Sequence, residues 1–153
     1  MGPLENVKVL ELGQLIAGPF CTRVMADFGA QVIKVVSPKV GDPLRKWRKL
    51  YKAKSLWWLL QARNKQSITI NLKEKSGQAI VRRLAKEVDV VVENFRPGSM
   101  EKWGLDYDSL AKDNPGLSAN NFYINANYTQ FIPYGKKSLY ENGFTKQSDV
   151  PTF

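Results

Sequence analysis

"VVVENFRPGSMEKWG" occupies residues 90–104. Three successive valines mark a strand, and a run with no polar alternation marks one covered on both faces, as in a parallel sheet. The run stops abruptly in Glu93 and Asn94, followed by Phe95, Arg96 and a Pro97-Gly98 turn. Asn94 carries both a donor and an acceptor, Phe95 an apolar face, and Arg96 a guanidinium fork matched to phosphate. A simple strand-ending turn with a surface arginine accounts for the same residues, and both readings stand at this point.

Working outward from this strand, "EKSGQAIVRRLAKEV" (74–88) has helical spacing, with Ala79, Ile80, Leu84 and Val88 as the inward stripe and Arg82, Arg83 and Lys86 outward. "SITIN" (67–71) precedes it as a strand. Nearer the N-terminus, 7–12 and 31–36 read as two more strands, the second interrupted only by Lys34. Between them "GQLIAGPFCTRVMADFG" predicts a helix with Pro19 in its first turn and Gly29 at its end, and with Phe20, Val24, Met25 and Phe28 facing the sheet. Residues 105–116 give a further helix closed by Asn-Pro-Gly. Strand–helix–strand twice over predicts an α/β fold: a Rossmann-like parallel sheet flanked by helices.

The segment 37–66 differs, opening with two prolines and a Gly-Asp turn and rich in Arg, Lys and Trp; it reads as a loop with one or two short helices. The last 36 residues, 118–153, hold 8 aromatics and only five charges and show no clear period beyond one possible strand in "NFYINA". The expected organisation is therefore a Rossmann-like region over 1–117 and a divergent tail over 118–153.

Composition narrows the function. The 153 residues suffice for one core, and no apolar run approaches the roughly 20 residues of a membrane span. No basic-then-apolar leader opens the chain. A single cysteine, Cys21, precludes an internal disulfide and suits a cytoplasmic protein; it reads as a small core residue. The absence of histidine removes His-based zinc sites and Ser-His or Cys-His pairs. The net charge is +9, with basic residues spread along the chain and no block of five or more. That pattern fits a discrete anionic ligand better than a nucleic acid.

In open parallel sheets ligands bind beyond the carboxyl ends of the strands. Three segments fall there: "GQLIAGP" after the first strand, "SPKVGDPLRKWR" after the second, and "ENFRPG". Gly13 and Gly18 permit close backbone approach, and the following helix offers unpaired N–H groups; no G-x-G-x-x-G or G-K-[ST] is present, and simple turn chemistry explains the glycines as well. Lys39, Arg45, Lys46 and Arg48 suit phosphates, or form a solvated basic face, with Trp47 either stacking on a base or covering the core. Residue types and spacing reach a phosphate-bearing ligand and no reaction.

The ordered motifs "PLENVKVLEL", "IAGPFCTRVMADFGAQVIKVVSP", "GDPLR", "ARNKQSITINLKEKSGQ" and "DVVVENFRPGSMEKWGLDYDSLAKDNPGL" resemble the opening of the class III CoA-transferases, the carnitine/formyl/bile-acid-inducible group, from about Pro3 to Leu117. The resemblance implies an enzyme that moves coenzyme A from an acyl-CoA to a carboxylic acid through an aspartyl intermediate, with no bound cofactor beyond the CoA substrate and no metal. It implies a two-domain chain interlinked as a homodimer, without nucleic-acid or membrane partners. Carried over by position, CoA contacts fall on Ile16 and Ala17; on Ser37, where the family often has a charged residue; on Ile70, Asn71, Leu72 and Lys73; and on Asn94, Phe95, Arg96 and Lys102.

Past Leu117 the likeness thins. "YTQFIPYGKKSLYEN" can be laid over the family's Gly-rich stretch, matching Tyr128, Gln130, Pro133, Tyr134, Lys137 and Tyr140, with Lys137 a further CoA contact, Glu141 in the acidic position, and Thr129, Ile132 and Leu139 in place of glycines. The family's nucleophilic aspartate is expected beyond Phe153, and Asp149 does not match its context. The expectation is thus an N-terminal part of such an enzyme, inactive alone. The alternatives are a non-catalytic CoA-binding or partner-docking remnant and, less favoured, an acyl-CoA racemase, whose histidine position holds Tyr140.

Overall fold

The computed structural model describes residues 2–113 and 122–125. Five parallel strands form one sheet in the order β5-β2-β1-β6-β7: β1 (Lys8–Glu11), β2 (Gln31–Val36), β5 (Lys65–Thr69), β6 (Val90–Glu93) and β7 (Phe122–Asn125). The predicted strands thus appear, β2 with its predicted bounds, and "NFYINA" supplies β7. All residues of β6 are buried, as its unbroken valines require.

Successive residues of a strand face opposite ways, and two cores result. On one face Leu10, Val35 and Val91 pack with Ile70, Val81 and Ala85, the last two from α3 (Lys75–Ala85). Met100 of α4 (Ser99–Trp103), Leu105, and Leu110 of α5 (Tyr107–Asp113) complete it. On the other face Val9, Val32, Val90 and Val92 pack against Ala26 of α1 (Ala17–Asp27) and Ala30. Helices cover both faces of a parallel sheet, the architecture expected.

The inward faces of two helices agree with expectation at Met25, Leu84 and Val88, which pack on the cores, and differ elsewhere. Phe20 and Phe28 are about half exposed, and the buried positions of α1 are Gly18, Pro19, Thr22 and Ala26. In α3 the buried positions are Gly77, Val81 and Ala85, with Val88 just beyond, while Ile80 is 43% exposed and Ala79 is exposed. In both, small residues let the helix axis approach the sheet closely, and larger apolar side chains are displaced to the flanks. Arg82 does not face freely outward: its guanidinium donates to the carbonyl of Gly104 at 3.1 and 3.2 Å, closing the end of α4.

The segment after β2 holds a 3₁₀ turn over Pro43–Lys46, a hairpin of β3 (Leu50–Tyr51) and β4 (Lys54–Ser55), and α2 (Leu56–Gln61). The hairpin was not anticipated. The final predicted helix is observed as α5, whereas its Asn-Pro-Gly stop, Lys137, Asp149 and the rest of the proposed tail after β7 lie outside the described residues.

Candidate functional site

The order β5-β2-β1-β6-β7 places the topological switch beside β1, where the chain turns from building one half of the sheet to building the other. Crevices at the carboxyl edge of such sheets are the usual ligand sites. Here the gap between the β1 and β6 ends is closed. The side-chain amide of Asn94 accepts from Gln14 N at 2.7 Å and donates to Gln14 O at 2.8 Å, like a rung of backbone pairing. Gly13 and Gly18 make this clasp possible: a Cβ on Gly13 would lie 2.8 Å from Asn94 Oδ1, and one on Gly18 would lie 3.0 Å from Gly13 Cα. The close approach these glycines permit is therefore between loop, helix and Asn94.

The open space lies next to it, over the carboxyl ends of β1, β2 and β5. This cleft of ≈ 320 Å³ is lined by Gln14, Ser37, Gly41 and Pro43 from the segments after β1 and β2, by Ile70, Asn71, Leu72 and Lys73 from the segment after β5, and by Phe95 and Trp103. Phe95 and Trp103 meet edge to face at 5.1 Å, a rigid aromatic corner. Six residues singled out in the sequence, Ser37, Ile70, Asn71, Leu72, Lys73 and Phe95, converge on one space. Ile16 and Ala17 stand at the start of α1 and do not line it; Asn94 is turned to Gln14; Arg96 and Lys102 are exposed on the β6–α4 turn and α4.

On the α1 face of the sheet, opposite the Leu12 and Val35 face that floors the cleft, is a constellation that no motif announced. Glu11, Lys34, Asp42 and Lys65 bring two carboxylates and two ammonium groups together with side chains at most 2% exposed. Lys34 Nζ lies 2.6 Å from Glu11 Oε1 and 2.8 Å from Asp42 Oδ2, and donates to Gly13 O at 2.9 Å. Lys65 Nζ lies 2.9 Å from Glu11 Oε2 and also donates to Thr22 Oγ1 and Pro19 O. Thr22 in turn donates to Glu11 Oε2 at 2.7 Å. The group is neutral as a whole, so each buried charge is matched, the condition under which burial is tolerated. Asp42 is hydrogen-bonded through Oδ1, while its Oδ2 meets Lys34 as an ion pair without hydrogen-bond geometry. Burial pushes the Lys65 ammonium below its ordinary pKa, against the opposing pull of Glu11. Cys21, half-buried nearby, has its thiol pKa raised, first by burial and then by the Glu11 carboxylate, and behaves as a core residue.

The basic residues are less evenly spread than the absence of a charge block suggested. Residues 43–73 hold nine Lys and Arg and no acid, so the remaining residues balance at fourteen of each sign. The basic character is thus concentrated in one segment. Arg45 stacks over Trp58 at 3.8 Å and Arg48 over Trp47 at 4.8 Å, while Trp47 packs edgewise on Trp57 rather than covering the core. Among the described residues no helix is long and apolar enough to cross a membrane, and no His, Cys, Asp and Glu cluster is placed to hold a metal.

Comparison with known proteins bears on this geometry. The model of CoA-transferase family III matches residues 4–122. Succinyl-CoA–D-citramalate CoA-transferase of Chloroflexus aurantiacus is 58% identical over 116 residues, covering 75% of this chain and 29% of that protein. Succinyl-CoA:glutarate CoA-transferase of Mus musculus is 43% identical over 118 residues, covering 76% and 27%. The crystal structure of a CAIB/BAIF family protein from Brucella suis superposes with a TM-score of 0.70 at 39% identity, covering 80% of this chain and 32% of that one. The chain spans less than a third of the length of these relatives.

Proposed function

The chain belongs to CoA-transferase family III, and from that premise we propose that its cleft receives the coenzyme A portion of an acyl-CoA. The observation that carries the reading is the convergence of Ser37, Ile70, Asn71, Leu72, Lys73 and Phe95 on one cleft at the carboxyl edge of the parallel sheet. An apolar floor with an aromatic corner suits the adenine or the pantetheine arm. Lys73 at the rim, with Arg96 and Lys102 exposed beside it, supplies the cations a phosphorylated ligand needs.

In this reading the complete reaction moves CoA between an acyl-CoA and a carboxylic acid, with an aspartate as nucleophile. Among the described residues no carboxylate lines the cleft. Glu11 and Asp42 are engaged in ion pairs, and Glu93 accepts from Phe95 N at 2.6 Å. We therefore assign to this chain the binding of CoA without its transfer, in a cytoplasmic setting that its single free cysteine suits. Titrating CoA into the 153-residue chain by calorimetry should show one saturable site per chain. Parallel assays with succinyl-CoA and dicarboxylic acids should show no transfer. Absence of binding refutes the coenzyme reading, and measurable turnover refutes the inactive assignment.

A second reading, docking to another copy of the chain, has one observation in its favour. Leu50, Tyr51, Leu56, Trp57, Leu59 and Leu60 are all exposed on the β3–β4 hairpin and α2, and neighbouring exposed apolar side chains mark interaction surfaces. Light scattering would then give a dimer that Trp57→Ser with Leu60→Ser reduces to monomer; a wild-type monomer ends this reading.

A further inference from the structure

Two loops line the cleft, one following β1 and the other following β2, and a single buried carboxylate joins them. Asp42 is 1% exposed. Its Oδ1 accepts from Leu44 N at 2.8 Å within its own loop and from Leu15 N at 3.2 Å across in the other. Its Oδ2 pairs with Lys34 at 2.8 Å, which ties both loops to the strands below. Leu15 has φ +62°, a left-handed conformation unfavourable for a branched side chain, and its N–H donates to Asp42. Gln14, the preceding residue, lines the cleft, as do Gly41 and Pro43 on either side of Asp42.

We propose that Asp42 is the positioning residue of the cleft: its carboxylate, without touching the ligand, sets the spacing of the Gln14–Leu15 and Gly41–Pro43 walls that close on CoA. The inference rests on the coenzyme reading. Acceptor capacity at position 42, rather than its charge, is what the geometry requires. Charge serves only to balance Lys34.

A pair of double variants separates these roles. Asp42→Asn with Lys34→Met and Asp42→Ala with Lys34→Met both leave Glu11 and Lys65 as a neutral buried pair, and both remove the same ammonium. They differ in whether an oxygen at position 42 still accepts from Leu15 and Leu44. In the full chain, amide hydrogen exchange over 13–16 is expected to stay slow in the Asn variant and to become fast in the Ala variant. Calorimetry with CoA is expected to show the Asn variant binding about tenfold more tightly than the Ala variant, the effect of one buried and one part-buried N–H group left without acceptors. Equal exchange in the two variants, or equal affinity with unequal exchange, overturns the positioning role. If the wild-type chain takes up no CoA, the coenzyme reading fails, and the exchange comparison still reports separately whether Asp42 holds the two loops. Should the Ala double variant not fold, Asp42→Val with Lys34→Met, which likewise offers no acceptor at position 42, takes its place with the same expectations.

Discussion

Glu11 and Lys34 are register partners on the central strands β1 and β2, and their charged groups meet at 2.6 Å beneath the carboxyl edge of the sheet. Lys34 also forms an ion pair with Asp42 and donates to the carbonyl of Gly13, so one ammonium joins both strands to both cleft loops. Lys34→Met is expected to destabilise the chain by about 3–5 kcal/mol, because it leaves two carboxylates facing one remaining ammonium in a buried site. Adding Asp42→Asn should recover part of that loss by restoring neutrality. Urea unfolding of the two variants decides the matter: a single variant within 1 kcal/mol of wild type, by that scale, would mean water reaches the group.

Gly13→Ala tests the clasp at the switch point. The new methyl would stand 2.8 Å from Asn94 Oδ1 and 3.0 Å from Gly18 Cα, so either the Asn94–Gln14 pair or the start of α1 must move. A cost of about 1–3 kcal/mol is expected from overpacking, together with faster amide exchange at Gln14. Unchanged exchange there would show that the loop absorbs the methyl without breaking the pair.

Arg96 is exposed on the turn after β6 and contributes its carbonyl to Ser99 N at 3.1 Å. Removing its guanidinium by Arg96→Ala should leave the melting temperature within about 2 °C, as expected of a surface change. CoA affinity should fall about tenfold, the effect of a lost charge-assisted phosphate contact. Affinity unaltered by this substitution removes Arg96 from the site.

Asp27 fastens α1 to the segment before β5: Arg63 approaches it at 2.6 Å and Arg23 at 2.8 Å. The hydrogen bond from Arg63, then the charges of Arg63 and Arg23, hold its carboxyl below the usual aspartate pKa. The unfolded chain thus binds this proton more readily than the folded one, and the stabilisation is complete above the unfolded pKa of about 3.9 and fades as pH falls through the lower folded value. Asp27→Asn should therefore be slightly less stable than wild type at pH 7, with the difference vanishing in strong acid and shrinking in high salt. A difference that persists at pH 2 would trace the effect to packing.

How much of this could be read from residues alone depends on how far apart the partners lie. β6 was legible because burial on both faces leaves its signature within the strand, as unbroken valine. The inward faces of α1 and α3 were legible in part: Met25, Leu84 and Val88 do pack on the sheet cores, but pattern reading favours bulky apolar residues throughout. Contact with the sheet favours small ones: Gly18, Thr22 and Ala26 sit inside while Phe20 and Phe28 stay half outside. Glu11 and Lys34 looked like isolated interruptions of apolar strands. Their shared offset, each the fourth residue of its strand, is the one local sign of pairing, and it becomes meaningful only once β1 and β2 are known to be neighbours in parallel. The role of Asn94 was half legible: its donor and acceptor were anticipated, but their partner is 80 residues away.

The strand order also constrains the sequence of folding events. β1 can pair with β2 as soon as the first 36 residues exist, but its other neighbour is β6, and Asn94 must travel the length of the intervening chain to reach Gln14. Closing a loop of that span is entropically the most expensive step in forming this sheet and is expected late. A ribosome-bound chain lacking β6 would therefore hold the ion quartet's residues while the wall at Gln14 stayed unlatched, so competence for the ligand should arrive in a single step, at the moment the distant strand docks.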